Sequence, residues 1–161
     1  MSKTVLAIDL GTNLGYYFDG KPHAAHFPKE DRETAYWKWI TSLLSQNKQI
    51  NTVVIENALY QKGKALEVFH EFKALTKLAT SLAGAKLYEY SPNSVKKSFT
   101  GKGNADKDQM VAECLSRGYD IPYTVVSRGK NKGQKRYNDN CADAVAIYYT
   151  YLDEAIVNAS I

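Results

Sequence analysis

Three acidic residues stand where the chain is most apolar, and any fold must accommodate them. Asp9 interrupts Val5-Leu6-Ala7-Ile8-Asp9-Leu10, Glu56 closes Thr52-Val53-Val54-Ile55-Glu56, and Asp143 lies within Cys141-Ala142-Asp143-Ala144-Val145-Ala146-Ile147. A carboxylate among aliphatic side chains is rarely tolerated unless it is paired, hydrogen-bonded or bound to a metal. One such acid is commonly a structural, hydrogen-bonded group. Three of them on separate elements point jointly to a cation site, because an uncompensated buried charge is strongly unfavourable.

Periodicity places these acids on elements. Residues 4–10 form an apolar run broken by Gly11, and residues 15–19 carry Tyr16-Tyr17-Phe18. Asp19-Gly20 is a strong hairpin signal, so residues 23–27 return as a third antiparallel strand. Trp37, Ile40, Leu43 and Leu44 recur at helical spacing over 31–46, and Leu66, Phe69, Leu75, Leu78 and Leu82 do so over 64–83. Between them, 52–56 is a short buried strand, and 86–90 is another. Ser91-Pro92 caps a further helix start. Residues 106–117 and 139–154 read as helices, the last with Ala142, Val145, Ala146, Tyr149 and Leu152 on one face. Three antiparallel strands followed by two strands alternating with helices predict an α/β fold, a mixed five-stranded sheet covered by helices. At 161 residues with 44% hydrophobic content, one domain over 1–161 can bury a proper core. Sites in such sheets gather at the carboxyl ends of the central parallel strands.

Ligation by carboxylates alone, with no His or Cys at ligand spacing, selects hard cations, Mg²⁺ first and Mn²⁺ as substitute. Two such ions about 3.5–4 Å apart can activate a water and stabilise the departing oxygen of a phosphodiester. Net charge is only +4, yet Arg128, Lys130, Lys132, Lys135 and Arg136 follow one another with no acid between them, and Lys96, Lys97 and Lys102 form a second group. Such runs suit a polyanion, since each neutralised phosphate releases counterions, or else they form a solvated surface loop. Gly129 and Gly133, with little apolar content around them, predict that this stretch is a flexible loop. Cys114 and Cys141, isolated in helical patterns, read as buried thiols of a reducing, cytoplasmic compartment. No apolar run approaches the about 18 residues of a membrane span, and the first residues lack the pattern of a secretory signal.

The motifs then become specific. Ala7-Ile8-Asp9-Leu10-Gly11-Thr12-Asn13-Leu14-Gly15 resembles the first-strand motif of RuvC-type Holliday-junction resolvases, and Val54-Ile55-Glu56-Asn57 is similar to their second acidic motif. Asp139-Asn140-Cys141-Ala142-Asp143-Ala144 resembles their terminal-helix motif, and Gly103-Asn104-Ala105-Asp106-Lys107-Asp108 their helix-opening Gly-and-Lys stretch. The resemblance implies a ribonuclease-H-like fold and a homodimer that binds four-way DNA junctions and nicks two opposed strands with Mg²⁺. It implies catalytic and metal-ligating roles for Asp9, Glu56 and Asp143. The family's fourth acidic position falls on Asn140, with Asp139 one residue earlier. Both lie at helical spacing from Asp143, and Asp139, which brings the charge, is the favoured fourth ligand. Asp139 could equally serve as a helix N-cap. Lys107 is implied to support charge developing on the phosphate or the attacking water. Tyr60, just after the second motif, is implied to stack on unpaired bases, while Lys130, Lys132, Lys135 and Arg136 would contact DNA.

Other readings compete. Ile8-Asp9-Leu10-Gly11-Thr12 also resembles the first phosphate motif of actin- and Hsp70-type ATPases, which need two lobes where this length supplies one. The acid missing at Asn140 would suit a module that binds branched DNA without cutting it. A ribonuclease H acting on RNA–DNA hybrids uses similar carboxylates.

Overall fold

A computed structural model describes residues 4–57 and 61–160. The five strands β1 (Val5–Asp9), β2 (Asn13–Phe18), β3 (Lys21–His26), β4 (Thr52–Glu56) and β5 (Lys86–Tyr90) form one sheet in the order β3-β2-β1-β4-β5. The first three are antiparallel neighbours, joined at the tight turn where Asp19 and Gly20 both take positive φ (51° and 79°). β4 and β5 are parallel to β1, as the helices between them require. The expected mixed sheet is therefore present, with β3 beginning two residues earlier than the hydrophobic pattern suggests.

Side chains alternate across a strand, and this parity decides what each face carries. Leu6 and Ile8 of β1, with Val53 and Ile55 of β4, pack with α1 (Arg32–Gln46) and α2 (Gly63–Leu82). Val5, Ala7 and Val54 face the other way, into a core with α3 (Pro92–Thr100), α4 (Lys107–Ser116) and α5 (Asp139–Ala159). Asp9 continues the Val5–Ala7 parity and Glu56 continues that of Val54. Both acids thus belong to the α5 face.

Two expectations need correction. In α2, Leu78 and Leu82 are outward, 50% and 72% exposed, while Thr76 and Thr80 are buried. The buried face is set by an aromatic stack: Tyr36 lies 4.0 Å from Phe72, ring to ring, and its hydroxyl shares a 2.6 Å hydrogen bond with Thr76. That contact turns inward the threonines two positions before each of these leucines. Ala79 packs into the chain's own core, whereas Ala74 and Ala83 are exposed.

The cation-rich stretch is loop only in part, since Arg128, Lys130 and Lys132 lie in a connection while Lys135 and Arg136 stand on a strand. β6 (Tyr123–Val125) and β7 (Lys135–Tyr137) pair antiparallel in a hairpin. Its loop is closed by Gly133 N–H donating to Val126 O at 2.8 Å, and its root by Asn138 N–H donating to Pro122 O at 2.8 Å. Cross-strand Tyr123 and Tyr137 stand 5.5 Å apart, with the Lys135 ammonium 4.4 Å above the Tyr123 ring. Ring pairing and a cation–π contact supply the order that hydropathy does not reveal. Cys114 and Cys141 are free and buried, as expected. Among the described residues, no helix is long and apolar enough to cross a membrane.

α5 reaches the sheet because of one glycine. Gly15 pairs across from Asp9, and a Cβ built there would lie 2.0 Å from the Asn140 carbonyl oxygen and 2.6 Å from the Cys141 nitrogen. Both contacts are to backbone and cannot be relieved by a rotamer change. Gly15→Ala should therefore cost about 3 kcal/mol in urea unfolding. Gly11→Ala, whose Cβ would meet nothing nearer than 3.5 Å, should cost about 1 kcal/mol or less. Equal losses at the two positions would show that the helix does not press on β2.

Candidate metal centre

The carboxyl ends of β1 and β4 are neighbours in register, Ile8 standing opposite Ile55, so Asp9 and Glu56 leave the sheet side by side. α5 crosses β1 and β2 above them, contributing Asp143 and, one turn earlier, Asp139. Spacing of i,i+4 puts those two carboxylates on one helix face. The N-cap of α5 is Asn138, whose side-chain oxygen accepts from Cys141 N–H at 3.1 Å. Asp139 is the first helical residue rather than the cap, and its carboxylate is spared for the site.

Asp9, Glu56 and Asp143 each register at least one neighbouring carboxylate. Asp9 is held well above the ordinary carboxyl range, first by burial and then by the charges of Asp143, Glu56 and Asp139. Burial and Asp143 lift Glu56 to about 7, and burial and Asp139 lift Asp143 to about 6. All four remain partly open to solvent. Among the described residues, no hydrogen bond is made to the side chains of Asp9, Glu56 or Asp143. No three Asp, Glu, His or Cys side chains among those residues lie close enough to enclose one metal ion. The acids therefore communicate by charge at a range longer than direct ligation. An all-oxygen donor set whose charge the protein only partly offsets fits a hard divalent cation.

Two lysines oppose this negative field. Lys107, at the first position of α4, pairs with the Asp139 carboxylate, and that hydrogen bond is the main cause of its raised pKa. Its helix start is fixed by a reciprocal cap, Gln109 N–H donating to Asp106 at 2.9 Å and Asp106 N–H to the Gln109 amide oxygen at 3.0 Å. Lys96 on α3 lowers both Glu56 and Asp143. Sequence reasoning counted Lys96 only as part of a basic cluster, because its spacing carries no sign of which way α3 is turned. Lys130, Lys135 and Arg136 line a groove of about 710 Å³ between α4 and the hairpin, which Lys107 and Asp139 also border. Lys132 is exposed near the hairpin tip. Asn140 lies with its backbone against Gly15. Tyr60 lies outside the described residues.

A raised carboxyl pKa makes the folded state the tighter proton binder. Stability from that proton is full below the unfolded value and is lost as pH rises through the folded one. For Glu56 and Asp143 the window runs from the ordinary values of 4.5 and 3.8 up to about 7 and about 6. In chelator, the Tm of wild type minus that of Asp9→Asn should become more negative from pH 4 to pH 8. Mg²⁺ at pH 8 should raise the wild-type Tm more than the variant's. A difference flat in pH would remove the repulsion.

Comparison with known proteins bears on the family of the chain rather than on these residues. The model of the family "Crossover junction endodeoxyribonuclease RuvC" matches residues 25–121, a stretch that includes Glu56 and Lys107 but not Asp9, Asp139, Asp143 or the hairpin. RuvC of Chlamydia muridarum is 30% identical over 134 residues, covering 72% of this chain and 79% of the relative. RuvC of Bradyrhizobium diazoefficiens is 31% identical over 84 residues, of which the chain spans only 48% of the relative's length. Thermus thermophilus RuvC, a ribonuclease-H-like protein, superposes with a TM-score of 0.66 at 22% identity, over 96% of both chains. The same protein in complex with Holliday junction substrate gives 0.67 at 20% identity, over 96% of this chain and 95% of that one.

Proposed function

The chain belongs to the crossover junction endodeoxyribonuclease RuvC family, and on that premise we propose that it resolves four-way DNA junctions as an Mg²⁺-dependent, structure-selective endodeoxyribonuclease. The observation that carries this reading is the convergence of Asp9 and Glu56, at the carboxyl ends of β1 and β4, with Asp139 and Asp143 of α5, near enough that Asp9 responds to the charges of the other three. Drawn in from separations longer than direct ligation, Asp9, Glu56 and Asp143 would hold the metal, Mg²⁺ or Mn²⁺ in its place, with Asp139 the fourth ligand. Support for Asp139 over Asn140 is that its charge reaches both Asp9 and Asp143. When bound, a pair of such ions supplies Lewis-acid activation of water and of the leaving oxygen.

The remaining work falls to this chain's own side chains. Lys107, 79% exposed, can leave Asp139 and meet a phosphate oxygen. Lys96 offsets charge on Glu56 and Asp143 from the α3 side. Lys130, Lys132, Lys135 and Arg136 grip the DNA backbone along the hairpin, and Tyr60 stacks on unpaired bases. One acidic centre per chain makes one nick. Paired nicks therefore call for a homodimer, with both copies acting on DNA in the cytoplasm.

Purified protein with a labelled four-way junction in Mg²⁺ tests the reading. Asp9→Asn should bind the junction and fail to cut it, and Lys107→Ala should cut about a hundredfold more slowly. Cutting by Asp9→Asn at the wild-type rate, or faster cutting of an RNA–DNA hybrid than of the junction, would refute it. A second measurement addresses the hairpin. Changing Lys130, Lys132 and Lys135 together to Ala should flatten the dependence of log K on log salt by about 2 to 3 units. An unchanged slope would place the hairpin off the DNA.

A further inference from the structure

The β6–β7 hairpin stands between two depressions of different character that share three bordering residues. On its α4 side lies the groove of about 710 Å³, bordered by Lys107, Arg128, Lys130, Lys135 and Arg136 against only two acids, Asp108 and Asp139. On its other side, between the hairpin and the β2–β3 edge, lies a cleft of about 490 Å³. Tyr123, Tyr137 and His26 contribute rings to this cleft, and Arg136 is its one lysine or arginine. Arg136, Tyr137 and Asp139 border both depressions.

The rings are set in place rather than left loose. Tyr123 is 48% exposed, yet it is braced by Tyr137 across the ladder and by the Lys135 ammonium. His26 is hydrogen-bonded to the Asn13 side-chain oxygen at 2.7 Å, which fixes its ring on the opposite wall. Most of the charge is thus collected in the groove and the aromatic surface in the cleft, with Arg136 bordering both and Lys135 reaching from the groove to the Tyr123 ring. A nucleotide divides in the same way, into an anionic phosphate and a flat base. A strand passing from groove to cleft crosses the boundary formed by Arg136, Tyr137 and Asp139, the last of these at the acidic centre.

We propose that the cleft between the hairpin and the β2–β3 edge is a subsite for one unpaired nucleobase of the branch point, stacked on Tyr123, while the cationic groove carries the backbone of the same strand. The inference rests on the junction-cutting reading and deepens it. The hairpin draws a base out of the branch, and the phosphate beside that base comes to rest over the acids. Selectivity for branched DNA follows, because a fully paired duplex has no base free to enter without first breaking a pair.

Binding is measured in chelator, where no cutting occurs, to four-way junctions that each lack one base near the crossover, with the matching linear duplex alongside. In wild type, an abasic site at one position should weaken junction binding about fivefold or more. Tyr123→Ala should bind the intact junction more weakly by a similar factor and become indifferent to that abasic site. Tyr123→Phe, which keeps the ring, should behave as wild type, and all three proteins should bind the linear duplex equally. Tyr123 is exposed on a peripheral hairpin, and matched thermal melts check that the variants are folded. A clear junction preference with no sensitive abasic position overturns the subsite alone. So does a Tyr123→Ala protein that keeps the wild-type sensitivity. A wild type that binds the junction no better than the duplex overturns the junction-cutting reading and the subsite with it.

Discussion

The close approach of α5 to β2 is the contact on which the acidic centre depends. Asp9, Glu56 and the Asp139–Asp143 pair come from the first strand, the fourth strand and the last helix, separated by most of the chain. They become neighbours only because the first turn of α5 lies directly on Gly15, the residue opposite Asp9. Once that backbone contact is made, the parity of β1 and β4 points Asp9 and Glu56 at the helix. The result is unfavourable in charge, since burial and neighbouring carboxylates both resist ionisation. Apolar packing of Ala142, Val145 and Ala146 beneath the helix holds the arrangement against that repulsion.

The lysines are placed by means as definite as those that place the acids. Lys107 owes its position to the Asp106–Gln109 cap, which fixes where α4 begins and hence which way its first side chain leaves the helix. Lys96 owes its position to the packing of Val95 and Phe99 in the same core, which turns the adjacent residue toward the acids. Cations therefore approach the centre from two helices, α3 and α4, and both pack against α5.

Much of this was legible in the chain. An acid within an aliphatic run is conspicuous because burying its charge is so unfavourable, and that marked Asp9, Glu56 and Asp143. The mixed character of the sheet followed from the Asp19-Gly20 turn and from alternation of strand and helix. What escaped reading depended on contacts between distant residues. The Tyr36–Thr76 hydrogen bond brings two threonines of α2 inward where hydropathy favours two leucines. The hairpin looked like solvated loop because its order comes from a Tyr–Tyr pair and a lysine lying over a ring. Asn138 took the capping role that Asp139 could have filled, a difference of one residue that changes which group is available to the site.

The alternation of side chains along β1 and β4 has a separate consequence for how such a protein can diverge. The lysines whose charges reach the acids, Lys96 and Lys107, approach from the α5 face, while α1 and α2 rest on the opposite face around Tyr36, Phe72 and Phe27. The sheet acts as a partition between two sets of selective demands. Substitutions behind it are judged only by packing, and those before it by chemistry as well. The outer surface of α1 and α2, including the exposed Leu78 and Leu82, is thereby free to drift or to acquire new neighbours without disturbing the centre.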